Sequence, residues 1–182
     1  MMTEYGFPMF KTRVFTRTPE VEELLSGLPS ARLVLFESGI PQSLLGGRYN
    51  SDPELSILPR EGLAPVLCFG ASGLFDAIGI DIANGSVVDV IKVPEKPVIL
   101  VNATVMLFSR TVQALIERFP YHAKDAENEE LDAVSEELRG IIRSIDPEAA
   151  APGCYWPSFV DDVRMGDFNT EDILAWERNQ IN

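Results

Sequence analysis

Polar and apolar residues alternate through the middle of the chain, between Tyr49 and Val93. Short apolar segments (ELSILP, PVLCFGAS, AIGIDI and SVVDVIKV) follow one another there, and VILV at 98–101 adds one more after a turn predicted at 94–97. A period of two with frequent turn residues is typical of neighbouring antiparallel strands. The pattern therefore predicts a β-meander. The residues expected to separate its strands are Pro53, Pro59, Gly62, Gly70, Gly73 and Asn84-Gly85.

The stretch DIANGSVVDV, residues 81–90, has the features of a β-hairpin. Asn84-Gly85 suits a two-residue type I′ turn, in which both central residues have positive φ. Its acids also invite comparison with a calcium loop, but their spacing differs from the Asp-x-Asx-x-Asx-Gly pattern. We therefore expect a hairpin with Asp81 and Asp89 on the face of the sheet opposite to its inward residues. The predicted inward residues are Ile80, Ile82, Val88 and Val90.

After the strands the period changes to that of a helix. Apolar residues follow one another at steps of three and four, first over 105–119 and then over 131–145. Such steps place them on one helix face. We expect Asn102 or Thr104 to cap the first helix and Asn128 to cap the second. Four shorter helices are predicted: one capped by Thr18, one over 29–41 ending at Gly39, one after Trp156 and one capped by Thr170.

Strands followed by helices, without regular alternation, predict an α+β fold: an antiparallel β-meander sheet with helices packed on one side. The chain has 182 residues, of which 46% are apolar. This length suits a single domain over 1–182, with a core over about 20–165. The tail, 166–182, is expected to form at most a short helix.

The charge is negative and unevenly distributed. The net charge is −13, and residues 121–182 contribute −10 of it with 15 acidic and 5 basic residues. Because phosphate contacts need cations, direct binding of nucleic acid is not expected. The charge serves either solubility alone or attraction of a basic partner. No apolar run reaches the roughly 18 residues that span a bilayer, and no export signal is visible, so a cytoplasmic protein is expected.

The acids of the 128–145 helix avoid its apolar stripe. Adjacent acids on a helix point about 100° apart, so they do not converge as an acid–base pair would. They form either a solvated face or a docking face for a partner. The candidate partner-binding residues are Glu129, Glu130, Glu136 and Glu137, together with Asp161 and Asp162.

No catalytic, metal or cofactor site is predicted. His122 is the one histidine, expected at the surface or at a helix end, and Cys68 and Cys154 lie far apart. Zinc sites need three or four such ligands. Cys68 falls in an apolar strand, where a thiol is inert. The glycine-containing segments 44–50 and 69–80 match no phosphate-binding loop and are interpreted as turns. Trp156 suits either the core or an interface.

Several short motifs in a fixed order resemble the SUKH superfamily of Smi/Knr-like proteins, and most closely its fourth group of bacterial immunity proteins. The resemblance covers roughly residues 20–165, with one departure, Ala103-Thr104 where a small polar pair is more usual. The motifs are Gly39-Ile40-Pro41, Ile80-Asp81 with Gly85, Val101-Asn102-Ala103-Thr104, Ile145-Asp146-Pro147 and Trp156.

The resemblance implies an α+β fold and a protein that acts by binding and is not an enzyme. Such proteins bind and neutralise a cognate polymorphic toxin, often a nuclease, which fits an acidic binder of a basic, nucleic-acid-targeting protein. Other members act as scaffolds or regulators, so a non-toxin interaction module is the alternative. A third possibility is a small-molecule enzyme that uses carboxylates in a cleft at the sheet edge.

Overall fold

A computed structural model describes residues 10–73, 75–91 and 98–179 of the protein. Short elements come first along the described chain. A two-stranded antiparallel ribbon of β1 (Thr12–Arg13) and β2 (Ile40–Pro41) brings Thr12 next to Pro41. The helix expected over 29–41 is present as α2 and a π-helical turn, and it ends at Gly39, which has a φ of +80°. These first elements are β1 Thr12–Arg13, α1 Pro19–Leu24, α2 Pro29–Leu33, the π-helical turn Val34–Ser38 and β2 Ile40–Pro41.

The predicted meander is confirmed as a six-stranded antiparallel sheet in which strands that follow one another along the chain are neighbours in space. A short 3₁₀ turn, Leu45–Gly47, connects its first two strands. The turn predicted over 94–97 lies outside the described residues. The strands are β3 Ser43–Leu44, β4 Tyr49–Arg60, β5 Leu63–Ala71, β6 Asp76–Asp81, β7 Val87–Ile91 and β8 Ile99–Asn102.

Pro53 and Pro59 do not separate strands, as the sequence suggested, but lie within the twelve-residue β4. The pairing of β4 with β5 is irregular between Ser51 and Ser56 and again between Leu58 and Arg60. Each irregularity contains one proline. Because proline has no N–H to donate, it fits a strand only where the ladder is interrupted. Gly70 likewise lies inside β5, beside a shift in its pairing with β6.

Both predicted long helices are confirmed, and the two C-terminal helices follow them. The Thr104 hydroxyl accepts a hydrogen bond from the Leu107 N–H, as predicted for a cap. Two other predicted caps were wrong by one residue. Asn128 is the first residue of the second long helix, and Glu127 before it makes no capping hydrogen bond with its side chain. At the last helix Asn169, not Thr170, accepts a hydrogen bond from the Asp172 N–H. The helices are α3 Val105–Arg118, α4 Asn128–Ile145, α5 Tyr155–Arg164 and α6 Thr170–Asn179.

The helices pack against one face of the sheet and enclose the main core. Its largest fully buried side chains include Trp156, Tyr49, Phe69, Phe108 and Phe159. The rings of Phe69, Phe108 and Trp156 follow one another with centroids 5.5 and 6.4 Å apart. Trp156, predicted for core or interface, is a core residue. No helix of the described residues is long and apolar enough to span a bilayer.

A second, smaller cluster lies on the other face of the sheet, and it corrects the predicted hairpin. Ile80 pairs with Val87, and both belong to the main core. Because paired residues share a face, Val88 and Val90 point the other way and were wrongly assigned as inward together with Ile80. Asp89, expected on the outer face, therefore shares the helix side with Val87. The second cluster consists of Val66, Cys68, Ala77, Val88 and Val90.

The hairpin connection also differs from the two-residue type I′ turn predicted. The Asp81 N–H donates to the Ser86 carbonyl at 2.9 Å, which closes a longer connection. Of the two turn residues only Gly85 has positive φ, at +80°. The Asp81 carboxylate accepts from the Ala83 N–H, and the Asn84 amide oxygen accepts from the Ser86 N–H, both at 2.9 Å. These side chains satisfy the turn's own backbone, which is why the sequence resembles a ligand loop.

Candidate partner-binding surface

The six acids predicted to bind a partner do not form one face. Glu129 and Glu130 lie in the first turn of α4, where the helix dipole favours carboxylates. Both are exposed, and no ion pair joins either of them to another described residue. The other four acids each contact an arginine. Only the first turn of α4 therefore presents predicted acids without a neutralising partner in the described chain.

Glu137 connects α4 to α3. The Arg118 guanidinium donates from Nε and Nη2 to the two carboxylate oxygens at 2.6 and 2.7 Å. These hydrogen bonds hold the pKa of Glu137 below its usual value and raise that of Arg118. Arg118 also donates to the Pro120 carbonyl at 2.7 Å. Glu137 thus contributes to the helix contact and is less available to a partner.

Glu136 and Asp161 approach each other from α4 and α5 through a shared arginine. Arg139 contacts Glu136 through Nη1, and its Nη2 lies 3.5 Å from Asp161 Oδ1. One turn away along the contact between α4 and α5, Arg164 Nε lies 2.5 Å from Asp132 Oδ1. The seam between these helices is therefore a series of alternating charges, largely compensated within itself.

Asp162 belongs to a different cluster, centred on Arg48, which the sequence treated only as part of a turn. Arg48 Nη1 donates to Asp162 Oδ2 at 2.8 Å, and Nη2 donates to Ser158 Oγ at 2.6 Å. The guanidinium carbon lies 5.1 Å from the centroid of the Tyr155 ring, whose hydroxyl donates to the Arg48 carbonyl at 3.0 Å. Arg48 therefore fixes α5 against the start of β4.

Asp89 lies within the electrostatic reach of Arg48 and is 8% exposed. Burial raises the pKa of Asp89 to about 6, and the Asp76 carboxylate adds to the rise. The Ser72 hydroxyl, which donates to Asp89 Oδ2 at 3.2 Å, and the charge of Arg48 oppose it. Asp89 Oδ1, Arg48 Nε and Ser51 Oγ are buried without a hydrogen-bond partner among the described residues. This polar cluster lies beside the cleft described next.

A cleft of about 380 Å³, which we call the α6 groove, opens between α5, α6 and the turn before β4. Its lining includes Arg48, Asp162, Asp167, Phe168, Asp172 and Trp176, with Gly46 and Ile173. The sequence did not predict this groove, because its two sides come from residues 46–48 and 162–176, which lie more than 100 positions apart in the chain. No local pattern relates them.

Three of the motifs that carried the resemblance, those with Asn102, Asp146 and Trp156, meet inside the core. Asn102 Nδ2 donates to Asp146 Oδ2 at 2.8 Å and lies 3.3 Å from Thr111 Oγ1. The Trp156 indole N–H donates to Asn102 Oδ1 at 3.0 Å, and the Ala103 N–H donates to Asp146 Oδ2 at 2.8 Å. All three motif side chains, Asn102, Asp146 and Trp156, are buried. They connect β8, α5 and the end of α4, and no partner can reach them in the folded chain.

His122, predicted at the surface or at a helix end, is 4% exposed and follows α3, which ends at Arg118. A surface position was therefore wrong. The ring nitrogens of His122 lie 2.9 Å from the carbonyl oxygens of Ala123 and Asp167, so the ring N–H can donate to a backbone carbonyl in either tautomer. Cys68 is buried, as expected, and burial raises the pKa of the Cys154 thiol. Within the described ranges, no three His, Cys, Asp or Glu side chains are grouped so as to hold a metal ion.

Comparison with known families adds one match. Residues 2–162 match the model of the family described as SUKH-4 immunity protein. Comparisons with curated proteins and with solved structures found no match. The matched residues include the motifs and α3 to most of α5, whereas α6 and part of the groove's lining lie beyond them.

Proposed function

Because the chain belongs to the SUKH-4 immunity protein family, we propose that it binds a cognate protein toxin and neutralises it by occupying its surface. The toxin is basic and targets nucleic acid, and the encounter takes place in the cytoplasm. The protein acts by steric block and charge complementarity, without catalysis. A toxin that acts on nucleic acid needs cations for its phosphate contacts, and an acidic protein complements those cations.

The observation that carries the proposal is the segregation of charge. Residues 121–182 hold −10 of the net −13, and they supply the three helices α4, α5 and α6. Within the described chain, arginines neutralise part of this negative charge where helices contact other elements. Arg118, Arg139 and Arg48 form ion pairs with acids of these helices. Glu129 and Glu130 are exposed, and no other described residue forms an ion pair with them. We assign the main electrostatic contact with the toxin to them.

The remaining predicted acids have a secondary role in this proposal. Glu136 and Asp161 flank Arg139, so together they offer a net negative charge to a cation. Glu137 and Asp162 are engaged by Arg118 and Arg48, and a toxin would have to displace an arginine to use them. We therefore rank them below the first turn of α4.

Co-expression with the toxin encoded by the neighbouring gene tests the function. We expect cells to survive when this protein is present and to die when it is absent. Continued killing, with the protein folded and abundant, contradicts the toxin-neutralising function and favours a scaffold or regulatory module of the same fold.

Charge-neutralising variants test the assignment of the surface. The double variant Glu129→Gln and Glu130→Gln should weaken toxin binding by about tenfold or more, a loss of about 1.4 kcal/mol. Glu54→Gln with Glu61→Gln removes the same charge from exposed residues of β4 and the turn after it. This control should change binding less than about threefold. Equal effects of the two double variants would contradict the assignment while leaving the function intact.

A further inference from the structure

We propose that the α6 groove receives an arginine or lysine side chain from the surface of the toxin. The inference rests on the proposed function and adds a second, separate contact with the same partner. It starts from the chemistry of the groove, which combines partly exposed aromatic rings with carboxylates.

The two kinds of lining residue match the two parts of a long basic side chain. Phe168 and Trp176 are each partly exposed in the groove, and aromatic faces attract cations and cover aliphatic stems. Asp162, Asp167 and Asp172 lie around the same cleft. A basic side chain entering it would place its stem on the rings and its charged group among the carboxylates.

The protein's own cations leave this charge largely uncompensated. Arg48 is committed to α5 through Asp162, Ser158 and Tyr155. Lys124 lies 3.0 Å from Asp172, but their side chains are 65% and 58% exposed, and such a pair contributes little. Asp167 is exposed, and within the described chain no cation pairs with it. Three acids therefore face two cations: Arg48, which is already bound to α5, and Lys124, whose exposed pair with Asp172 contributes little.

The groove is also preformed. Its wall α6 rests on the turn before β4, where Gly46 and Gly47 have positive φ. A Cβ atom at Gly46 would lie 2.8 Å from the Ile173 side chain, and one at Gly47 would lie 2.9 Å from Trp176. The Asp167 carbonyl contacts the His122 ring at 2.9 Å, which fixes the backbone of the loop before α6. A site that needs no ordering retains more of its contact energy on binding.

The groove lies partly outside the region that matches the family. The match ends at residue 162, whereas five of the lining residues named above follow it. Family resemblance therefore does not assign the groove a role. A contact built from this segment suits recognition of one particular toxin.

The first test measures binding of the purified toxin to single variants. Asp167→Asn should weaken binding by about tenfold, since it removes an exposed carboxylate without changing its size. Trp176→Leu should weaken it by a similar factor, and Glu61→Gln, an exposed acid remote in the fold, should change it less than about twofold. Unchanged binding by both groove variants, with circular dichroism and melting preserved, would overturn the inference while leaving the proposed function in place.

The second test needs no toxin. Acetyl-arginine amide is titrated into the ¹⁵N-labelled protein, with acetyl-citrulline amide as the uncharged control. We expect the arginine compound alone to shift the Trp176 indole and the amides of Phe168 and Ile173. Equal shifts with both compounds, or shifts confined to other residues, would overturn the inference even if the toxin is neutralised. A dimer by sedimentation that Trp176→Leu abolishes would assign the groove to a second copy and would also overturn it.

Discussion

At the scale of single residues, three side chains from the motifs that suggested the family have structural roles. Asn102 joins the Trp156 indole to the Asp146 carboxylate, and all three are buried. From the sequence, Asn102 was expected as a possible helix cap and as part of the motif Val101-Asn102-Ala103-Thr104, and neither expectation predicts its buried hydrogen bonds. Its partner Asp146 is 44 residues away, and no spacing rule connects them. The role of these residues could be found only from the fold.

Replacing Asn102 with Ala should lower the free energy of unfolding by about 3 kcal/mol, because it leaves the Trp156 N–H and the Asp146 carboxylate without their partner. Thr111→Val, which removes only the 3.3 Å contact, should cost about 1 kcal/mol. Urea denaturation followed by fluorescence measures both. Similar costs for the two variants would contradict the central role of Asn102.

Asp89 should make stability depend on pH. Its pKa is about 6 in the folded protein against an ordinary 3.8, so folding favours its protonated form. The resulting decrease in the free energy of unfolding is absent below about pH 4, grows between pH 4 and 6 and is constant above that. Asp89→Asn should therefore stabilise the protein at pH 8 by about 1–2 kcal/mol, allowing for screening, and by almost nothing at pH 4.

Denaturation midpoints of both proteins across this pH range test the prediction, with the exposed Glu61→Gln as a control that should show no such trend. A variant less stable than the original chain at pH 8 would indicate that the Asp89 carboxylate contributes favourably through Arg48 or Ser72 and would contradict it.

At the scale of elements, the periodicity of apolar residues predicted helices more accurately than it predicted strand pairing, because the period of a helix depends on that helix alone. The stripes at steps of three and four gave α3 and α4 because helix amphipathicity is a local property. The predicted hairpin was wrong in its details. Asn84-Gly85 lies in the turn as expected, but the Asp81 and Asn84 side chains accept hydrogen bonds from the turn's backbone, and the connection is longer than two residues. The longer connection pairs Ile80 with Val87, where a two-residue turn would have paired it with Asp89, and a shift of two residues leaves every side chain on the same face. Asp89 was placed on the wrong face because Val88 and Val90 were assigned to the face of Ile80, whereas the residues that share this face are Val87 and Asp89.

The contact of α6 with the turn before β4 should depend on Gly46. An Ala at this position meets both an unfavourable φ of +63° and the Ile173 side chain. Gly62 has a similar φ of +68° but nothing within 4 Å of its Cβ position, so it isolates the backbone effect. We expect Gly62→Ala to cost about 1 kcal/mol and Gly46→Ala about 2–3 kcal/mol.

Chemical denaturation gives the two costs, and hydrogen exchange in the amides of α6 should increase only for Gly46→Ala. Equal costs and unchanged exchange would mean that α6 accommodates the methyl group, and would contradict the close contact.

At the scale of the whole molecule, the sequence predicted the sign of the charge and its position in the chain. It did not predict which acids pair with an arginine. The acidic third of the chain was evident from composition alone. Arg118 and Glu137 are 19 residues apart and Arg48 and Asp162 are 114 apart, so their pairing depends on how α3, α4 and α5 pack. The predicted acidic surface was therefore larger than the one the fold leaves without compensation.

The net charge of −13 should accelerate encounter with a basic toxin. We expect the association rate constant to fall about tenfold or more between about 50 mM and 500 mM salt, while the dissociation rate changes less. Stopped-flow fluorescence measures both rates. The Glu129→Gln and Glu130→Gln variant should show a weaker salt dependence. A rate constant independent of salt would contradict electrostatic steering.

The buried position of the Asn102, Asp146 and Trp156 network has a consequence for inheritance. A lineage can exchange its exposed acids and its groove residues while these three remain, because they are buried and their hydrogen bonds connect β8, α5 and the end of α4. Immunity to a new toxin can then arise by substitution on the exterior of an unchanged framework. Two such proteins can share every interior motif and still fail to protect against each other's toxins.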